Sequence, residues 1–285
     1  MLNYENQYSK EGKLMYLSVP GSSSNSPVDC RTSSLKIFIA ALENALTAEL
    51  LRNLSFGCVN SVSSGCHTDM DFQLFQQSGR FICQELATMP QTAAASFLTL
   101  RQAGQDCEQR LLQLTGGVNT QKGLLFLVLF LWQAWVSNTS WAALSEHISN
   151  FAQDLQKDYV QMPYSRSSLS HLAGLADIRH LPLTGFRPLL NTVKLYLQSD
   201  WSDLQLTLYL IATTDDTTTF KRGGLEKLRY VQQTAGQILL LTAEEQIKAA
   251  EDLNNYYLSN NLSSGGVADL FSLTKCLAEL KDQWL

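Results

Sequence analysis

The residues whose types and spacing could do chemistry are densest between Thr213 and Gln233, TTDDTTTFKRGGLEKLRYVQQ. Asp215 and Asp216, with the threonines after them, offer hard oxygen ligands of the kind magnesium prefers beside a phosphate. Lys221 and Arg222 supply positive charge. Gly223 and Gly224 let backbone come close to a ligand, and the helical pattern that follows would present free N–H groups to an anion. Two readings stay open for this stretch: a magnesium–polyphosphate site, or a polar helix–helix loop with a glycine stop.

Three other loops have the same character. Residues 53–71 run NLSFGCVNSVSSGCHTDMD and finish in His67, Asp69 and Asp71. Residues 115–123, TGGVNTQKG, place Gly117, Asn119 and Lys122 ahead of a strongly apolar run. The Walker spacing is absent there, so a structural helix-start turn is the first reading and a phosphate cradle the second. Residues 260–270, NNLSSGGVADL, bring Gly265 and Gly266 to the start of another helix, with Asp269 in its first turn. Arg179, His180 and Arg187 make the proline-containing segment 177–188 locally basic. Helix ends of this kind can converge on one cleft.

The elements that must position these loops read as helices. Leu35, Phe38, Ile39, Leu42, Ala45, Leu46 and Leu50 recur at helical steps. Further helices are expected from Asp71 toward Met89 and over Thr92–Leu114, Trp141–Tyr159, Ser167–Leu175, Leu189–Gln198 and Leu204–Ala212. Thr242 and Glu245 form a capping box for a helix through Tyr257, and a last helix begins near Val267. Leu124–Trp135 is too short to span a bilayer, which takes ~20 residues, and is read as a buried core helix. Trp132, Trp135 and Trp141 are assigned to packing. Strand-like alternation is almost absent. The expected architecture is all-α, a single domain of about ten helices over 35–285 with a cleft formed by glycine-containing helix-start loops. A flexible Ser-rich leader is expected over 1–34.

The totals narrow the function classes. A chain of 285 residues with 45% hydrophobic content can bury a substantial core. Its net charge of −5 gives no reason to expect nucleic acid or an anionic membrane as partner. Cysteines 30, 58, 66, 83, 107 and 276 lack C-x-x-C spacing, so neither a zinc site nor a disulfide framework is indicated. No secretory signal opens the sequence. A soluble cytoplasmic protein is expected.

Several segments, in order, resemble the triphosphoribosyl-dephospho-CoA synthase family from about Leu35 onward. Gly65-Cys66-His67-Thr68-Asp69-Met70 is similar to G-A-H-K-D-M, and Gly117-Val118-Asn119-Thr120-Gln121-Lys122-Gly123 to G-V-N-T-H-K-G. Asp216-Thr217 through Arg222-Gly223-Gly224 resembles D-T-N-x-x-x-R-G-G, and residues 261–270 resemble N-L-S-P-G-G-S-A-D-L. The resemblance implies an all-α transferase that takes ATP and dephospho-CoA, joins the triphosphoribosyl group to a ribose hydroxyl, and releases adenine. The product would be the prosthetic-group precursor for the carrier protein of citrate lyase or malonate decarboxylase, which links the chain to an acyl carrier protein pathway.

On that resemblance Asp216, with Asp215, would hold magnesium. Lys122, Arg179 and Arg222 would neutralise phosphates, and Gly117, Asn119, Gly223, Gly224, Gly265 and Gly266 would lie against the nucleotide. His67 or one of Asp69 and Asp71 would take the hydroxyl proton, or the carboxylates would hold a second metal. The sequence departs from the family pattern at polar positions: Asn60 for an aspartate, Thr68 for a lysine, Gln121 for a histidine, Thr218 for an asparagine, Leu181 for an acid and Val267 for a serine. These departures leave two alternatives open, a related transferase with a different acceptor and a catalytically inactive nucleotide-binding homologue.

Overall fold

A helix that is apolar on every side has to be surrounded, and the run after Lys122 meets that condition. In the computed structural model, which describes residues 27–161 and 174–284, this run becomes the core helix. In chain order the described α-helices are α1 (Pro27–Leu50), α2 (Phe72–Thr88), α3 (Phe97–Leu114), α4 (Lys122–Val136), α5 (Leu144–Phe151) and α6 (Leu155–Gln161). They continue with α7 (Arg187–Gln198), α8 (Asp203–Thr213), α9 (Thr217–Ile238), α10 (Ala243–Ser259) and α11 (Gly265–Leu280). No strand occurs among the described residues, and the expected all-α class holds.

All of Leu127–Trp135 in α4 is buried. Each large side chain taken fully out of water there contributes roughly 1.5–3 kcal/mol. The polar tips in this apolar interior are satisfied. Trp132 donates its indole N–H to the Leu86 carbonyl at 3.1 Å, and Gln133 meets His147 at 2.8 Å. Trp135 packs edge-on against Trp284 at 4.9 Å, and Trp141 lies 5.8 Å from Trp284 on the other side. The three tryptophans assigned to packing all belong to the core or pack against it.

The second buried helix is α11, which lies along α1 and also meets α7 and α8. Arg52, just past α1, ties these layers from inside. Its guanidinium pairs with Glu49 at 2.8 Å, donates to Thr207 of α8 at 3.3 Å and sits 4.8 Å over the Phe271 ring of α11. Burial raises the Glu49 carboxyl above its usual range, against the pull of Arg52. A charged pair on an otherwise apolar helix face is what allows polar loops to be seated above it.

Several helix boundaries differ from expectation for local reasons. α1 begins at Pro27, where proline suits a first helical turn, rather than at Leu35. The rest of the expected leader lies outside the described residues, as does most of the expected helix Ser167–Leu175. Thr92–Leu114 divides because Ser96 and Thr99 form a capping box that restarts the helix. Trp141–Tyr159 divides into a 3-10 turn, α5 and α6. The irregular segment 177–188 holds a 3-10 turn, Ile178–Thr184, ended by Gly185 and Phe186, both at positive φ. The Thr242–Glu245 capping box forms as expected.

The first polar loop is locked to the start of α11 by close backbone approach. Gly57 sits at φ +79°, and a Cβ there would fall 1.9 Å from the Leu262 carbonyl oxygen. Backbone on both sides leaves no relief. Gly57→Ala is expected to lose more than about 3 kcal/mol of stability in urea titration, and an unchanged midpoint would refute this role.

Candidate active site

The loop between α1 and α2 is built around its own side chains. Asn60 is buried, accepts from the Val62 and Ser63 amides at 3.1 and 2.8 Å, and donates to the Arg52 carbonyl at 3.1 Å. Ser55 donates to the Cys58 carbonyl at 2.7 Å. Burial pushes the Cys58 thiol up to about 11, so it is no nucleophile at neutral pH. Asp71 caps α2 by accepting from the Leu74 amide at 2.9 Å, a structural bond.

His67 closes this loop onto two others. Its Nε2 lies 3.1 Å from the Ser263 hydroxyl and its Nδ1 3.4 Å from an Arg222 nitrogen. Arginine only donates, so Nδ1 is the accepting nitrogen and Nε2 carries the proton toward Ser263. Arg222 also donates to the carbonyls of Cys66 at 3.1 Å and Asn261 at 3.3 Å. Thr219 donates to the Ser263 carbonyl at 3.1 Å. Residues from 53–71, 213–224 and 260–270 thus meet at one junction. Burial, then the Arg222 charge, lowers the His67 pKa against the opposing pull of Asp69. The ring is neutral at pH 7. The exposed Asp69 carboxylate stands 3.7 Å from Nδ1.

The acid pair at 215–216 is not brought together as a pair of ligands. Asp216 is buried and caps α9, with one oxygen accepting from the Thr218 and Thr219 amides at 2.7 and 2.9 Å. Its other oxygen accepts from the Val267 amide at 3.0 Å, and the Gly266 amide also bonds the carboxylate. Burial raises its pKa while these N–H groups pull it back. Asp215 turns elsewhere, accepting from the Ala176 amide at 3.0 Å, Arg229 at 2.6 Å and Gln232 at 3.2 Å. Burial works against it, but those bonds hold the Asp215 carboxyl below its usual range. Four backbone donors on Asp216 leave no ligand face, so the pair does not fit a resident magnesium. No group of three or more metal-ligating side chains occurs among the described residues.

The remaining candidates are dispersed around the junction. Gly223 is pressed close, with a Cβ position 2.6 Å from a Leu262 methyl, and Gly224 breaks α9 at φ 76° and ψ −177°. Gly265 and Gly266 lie against Thr218 and Asp216. Lys122 turns to Glu108 of α3 at 2.5 Å, Arg179 pairs with Asp177, and Gly117 and Asn119 stand exposed on their loop. The start of α4 nonetheless reaches the junction, because a Cβ on Gly123 would fall 2.4 Å from an Asp269 oxygen. Asp269 has no hydrogen-bond partner among the described residues. Burial, with Asp216 and Glu49 nearby, raises its pKa well above the usual range.

Sequence reasoning passed over Ser263, Thr219, Asn261 and Asp269 as site residues. All four lie inside segments that it did single out, but a hydroxyl, an amide or a lone carboxylate shows no specific role until the fold supplies its surroundings. Between α1 and α2 lies a cavity of about 530 Å³ with Gln121 in its wall.

Asp216→Asn keeps the shape but replaces one oxygen with a donor facing amide N–H groups. It is expected to cost about 1–3 kcal/mol in thermal or urea unfolding. Wild-type stability would show that this carboxylate is not the clasp between α9 and α11.

The matches to known proteins agree with the order of these segments. The family model described as ATP:dephospho-CoA triphosphoribosyl transferase matches residues 38–285. A probable 2-(5''-triphosphoribosyl)-3'-dephosphocoenzyme-A synthase from Salmonella gallinarum is 31% identical over 248 residues, covering 76% of this chain and 82% of that protein. The Pectobacterium atrosepticum synthase is 29% identical over 259 residues (81% and 85%), and the Klebsiella pneumoniae synthase 27% identical over 269 residues (83% and 88%). No solved structure matches the chain. With the match running through all four polar loops, the chain belongs to the ATP:dephospho-CoA triphosphoribosyl transferase family of enzymes.

Proposed function

We propose that this chain transfers the triphosphoribosyl group of ATP to a ribose hydroxyl of 3'-dephospho-CoA at the His67–Arg222–Ser263 junction. The observation that carries the reading is geometric: three polar loops meet at His67, which stands 3.1 Å from Ser263 and 3.4 Å from Arg222, with Asp69 3.7 Å from its ring. Desolvation moves the His67 pKa down and the Asp269 pKa up, the directions in which one site separates a base from an acid.

In this reading Arg222 turns from His67 to the triphosphate, and the freed Nδ1 of neutral His67, with Asp69 beside it, takes the proton of the attacking hydroxyl. The new bond forms to the anomeric carbon of the ATP ribose. The bond from that carbon to adenine breaks, its electron pair leaves with the base, and Asp269 supplies the proton that adenine needs. Arg222 is the cation placed at the junction to meet the triphosphate, with Lys122 and Arg179, paired here with Glu108 and Asp177, as further candidates. Magnesium travels with ATP as its counter-ion and is part of the substrate. The product would serve the carrier-protein prosthetic group of citrate lyase or malonate decarboxylase. We place the reaction in the cytoplasm, where both nucleotides are made. No helix among the described residues is long and apolar enough to cross a membrane.

Adenine release from magnesium-ATP, followed by chromatography, tests the reaction. Release only with dephospho-CoA supports the reading, and release independent of it points to another acceptor. No release while ATP still raises the melting temperature would leave an inactive nucleotide-binding homologue.

The pH profile tests the two roles. With the His67 pKa lowered, kcat/KM holds at neutral pH and falls only below about pH 6.5, and His67→Gln removes that limb. Activity falls again as pH rises through the raised Asp269 pKa, and Asp269→Asn abolishes that limb along with most turnover. The stability sign follows for His67. The unfolded imidazole protonates first, so the folded state loses stability from about pH 6.5 downward, and His67→Gln flattens that slope. A profile and a stability curve unchanged by either substitution would refute the assignment.

A further inference from the structure

The cavity of about 530 Å³ between α1 and α2 takes no part in the chemistry above. Its walls are Leu46 and Leu50 of α1, Phe72 and Phe75 of α2, and Gln121 at the entry to α4, with Glu43 and Arg80 at its polar margins. Gln121 is 3% exposed. Its Oε1 accepts from the Ser78 hydroxyl at 2.8 Å, while its amide nitrogen has no hydrogen-bond partner among the described residues. That N–H is not sealed in the interior, so it is open to an acceptor in the groove.

Gly79 lines the same groove. Glycine inside a helix is about 1 kcal/mol worse than alanine, yet Gly79 is buried in the middle of α2. A Cβ there would stand 3.4 Å from both Gln121 Oε1 and a Leu46 methyl, inside the groove. Cys83 also lines the groove. Burial, then Glu43, pushes its thiol up to about 12, so it acts as an apolar wall.

The shape selects the ligand. The lining runs along α1 from Glu43 to Leu50 and along α2 from Phe72 to Gln84, on the order of 10 to 18 Å at helical rise. A purine is much shorter than that. An extended chain of alternating methylene and amide groups, equivalent to about four residues or roughly 13–14 Å, matches it. Gln76, Gln84 and Gln121 along the lining are suited to amides.

From this geometry we infer that the α1–α2 groove holds the pantetheine arm of the acceptor nucleotide, with the Gln121 amide donating to one of its carbonyls. The inference rests on the proposed acceptor, since dephospho-CoA is ADP carrying this arm. The groove ends beside the loop that opens after α1, and Gln121 directly precedes Lys122 and Gly123 at the junction.

Calorimetric titration of the full chain with dephospho-CoA and with ADP separates the arm from the nucleotide. The wild type is expected to bind dephospho-CoA at least tenfold more tightly than ADP. Gly79→Leu, which fills the groove, and Thr47→Phe, which crowds its exposed rim without touching the core, should both erase that preference and leave ADP affinity unchanged. Gln121→Leu should reduce the preference in part. Wild-type affinity for dephospho-CoA in a folded Gly79→Leu or Thr47→Phe protein would overturn the groove assignment alone. Binding of ADP but not of dephospho-CoA by the wild type would remove the proposed acceptor, and the groove assignment with it.

Discussion

The structure depends on one buried carboxylate. Asp216 sits between the first turns of α9 and α11 and takes backbone N–H groups from both. Helix starts carry partial positive charge and unbonded donors, so a carboxylate shared by two of them replaces much of the hydration it gives up. Without that charge the two N-termini would repel and leave amides unbonded inside the protein. With it, Ser263 and Asn261 are fixed against Thr219 and Arg222, and His67 has a surface to close on. The geometry of this junction therefore rests on one carboxylate bonded to two helix starts.

That clasp is seated on a second compensated charge. Glu49 and Arg52 are both nearly sealed from solvent, and a buried pair of this kind is weak evidence for stability. Here it has a positional consequence. Arg52 reaches α8 and α11 at once while its carbonyl receives Asn60, so the first polar loop cannot shift without disturbing three helices. Glu49 also adds to the field that raises the Asp269 pKa. Fold and acid–base chemistry share the same buried charges.

The helices were legible because apolar spacing states a buried face directly, as in α4, and because Thr242 and Glu245 announce a cap. Asp216 shows where that legibility ends. An aspartate before threonines reads equally as an N-cap and as an oxygen ligand. Only the distant Val267 amide, brought up by α11, decides between them. Lys122 reads as a phosphate cation, and only the fold shows that Glu108 of α3 pairs with it. Glycine motifs located the junction correctly as a region, since close backbone approach requires glycine whatever its purpose. They could not identify Ser263 or Asp269, whose roles arise from partners far away in sequence.

The departures from the family pattern can be weighed in the same way. Removing polar groups from a polyanion site would weaken it, but several of these positions do not face a ligand here. Asn60 is buried with both ends of its amide engaged, and an aspartate could not make its bond to the Arg52 carbonyl. Val267 is buried and contributes its backbone amide, which any residue would supply. Leu181 packs against the core, where an acid would lose hydration without a partner. Gln121 is held by Ser78 at the wall of the α1–α2 groove. Of these substitutions, Gln121 is the one placed to change what the protein binds, and it does so through the acceptor's neutral arm rather than through its phosphates. Divergence of this kind alters acceptor fit while leaving His67, Arg222 and Asp269 in place.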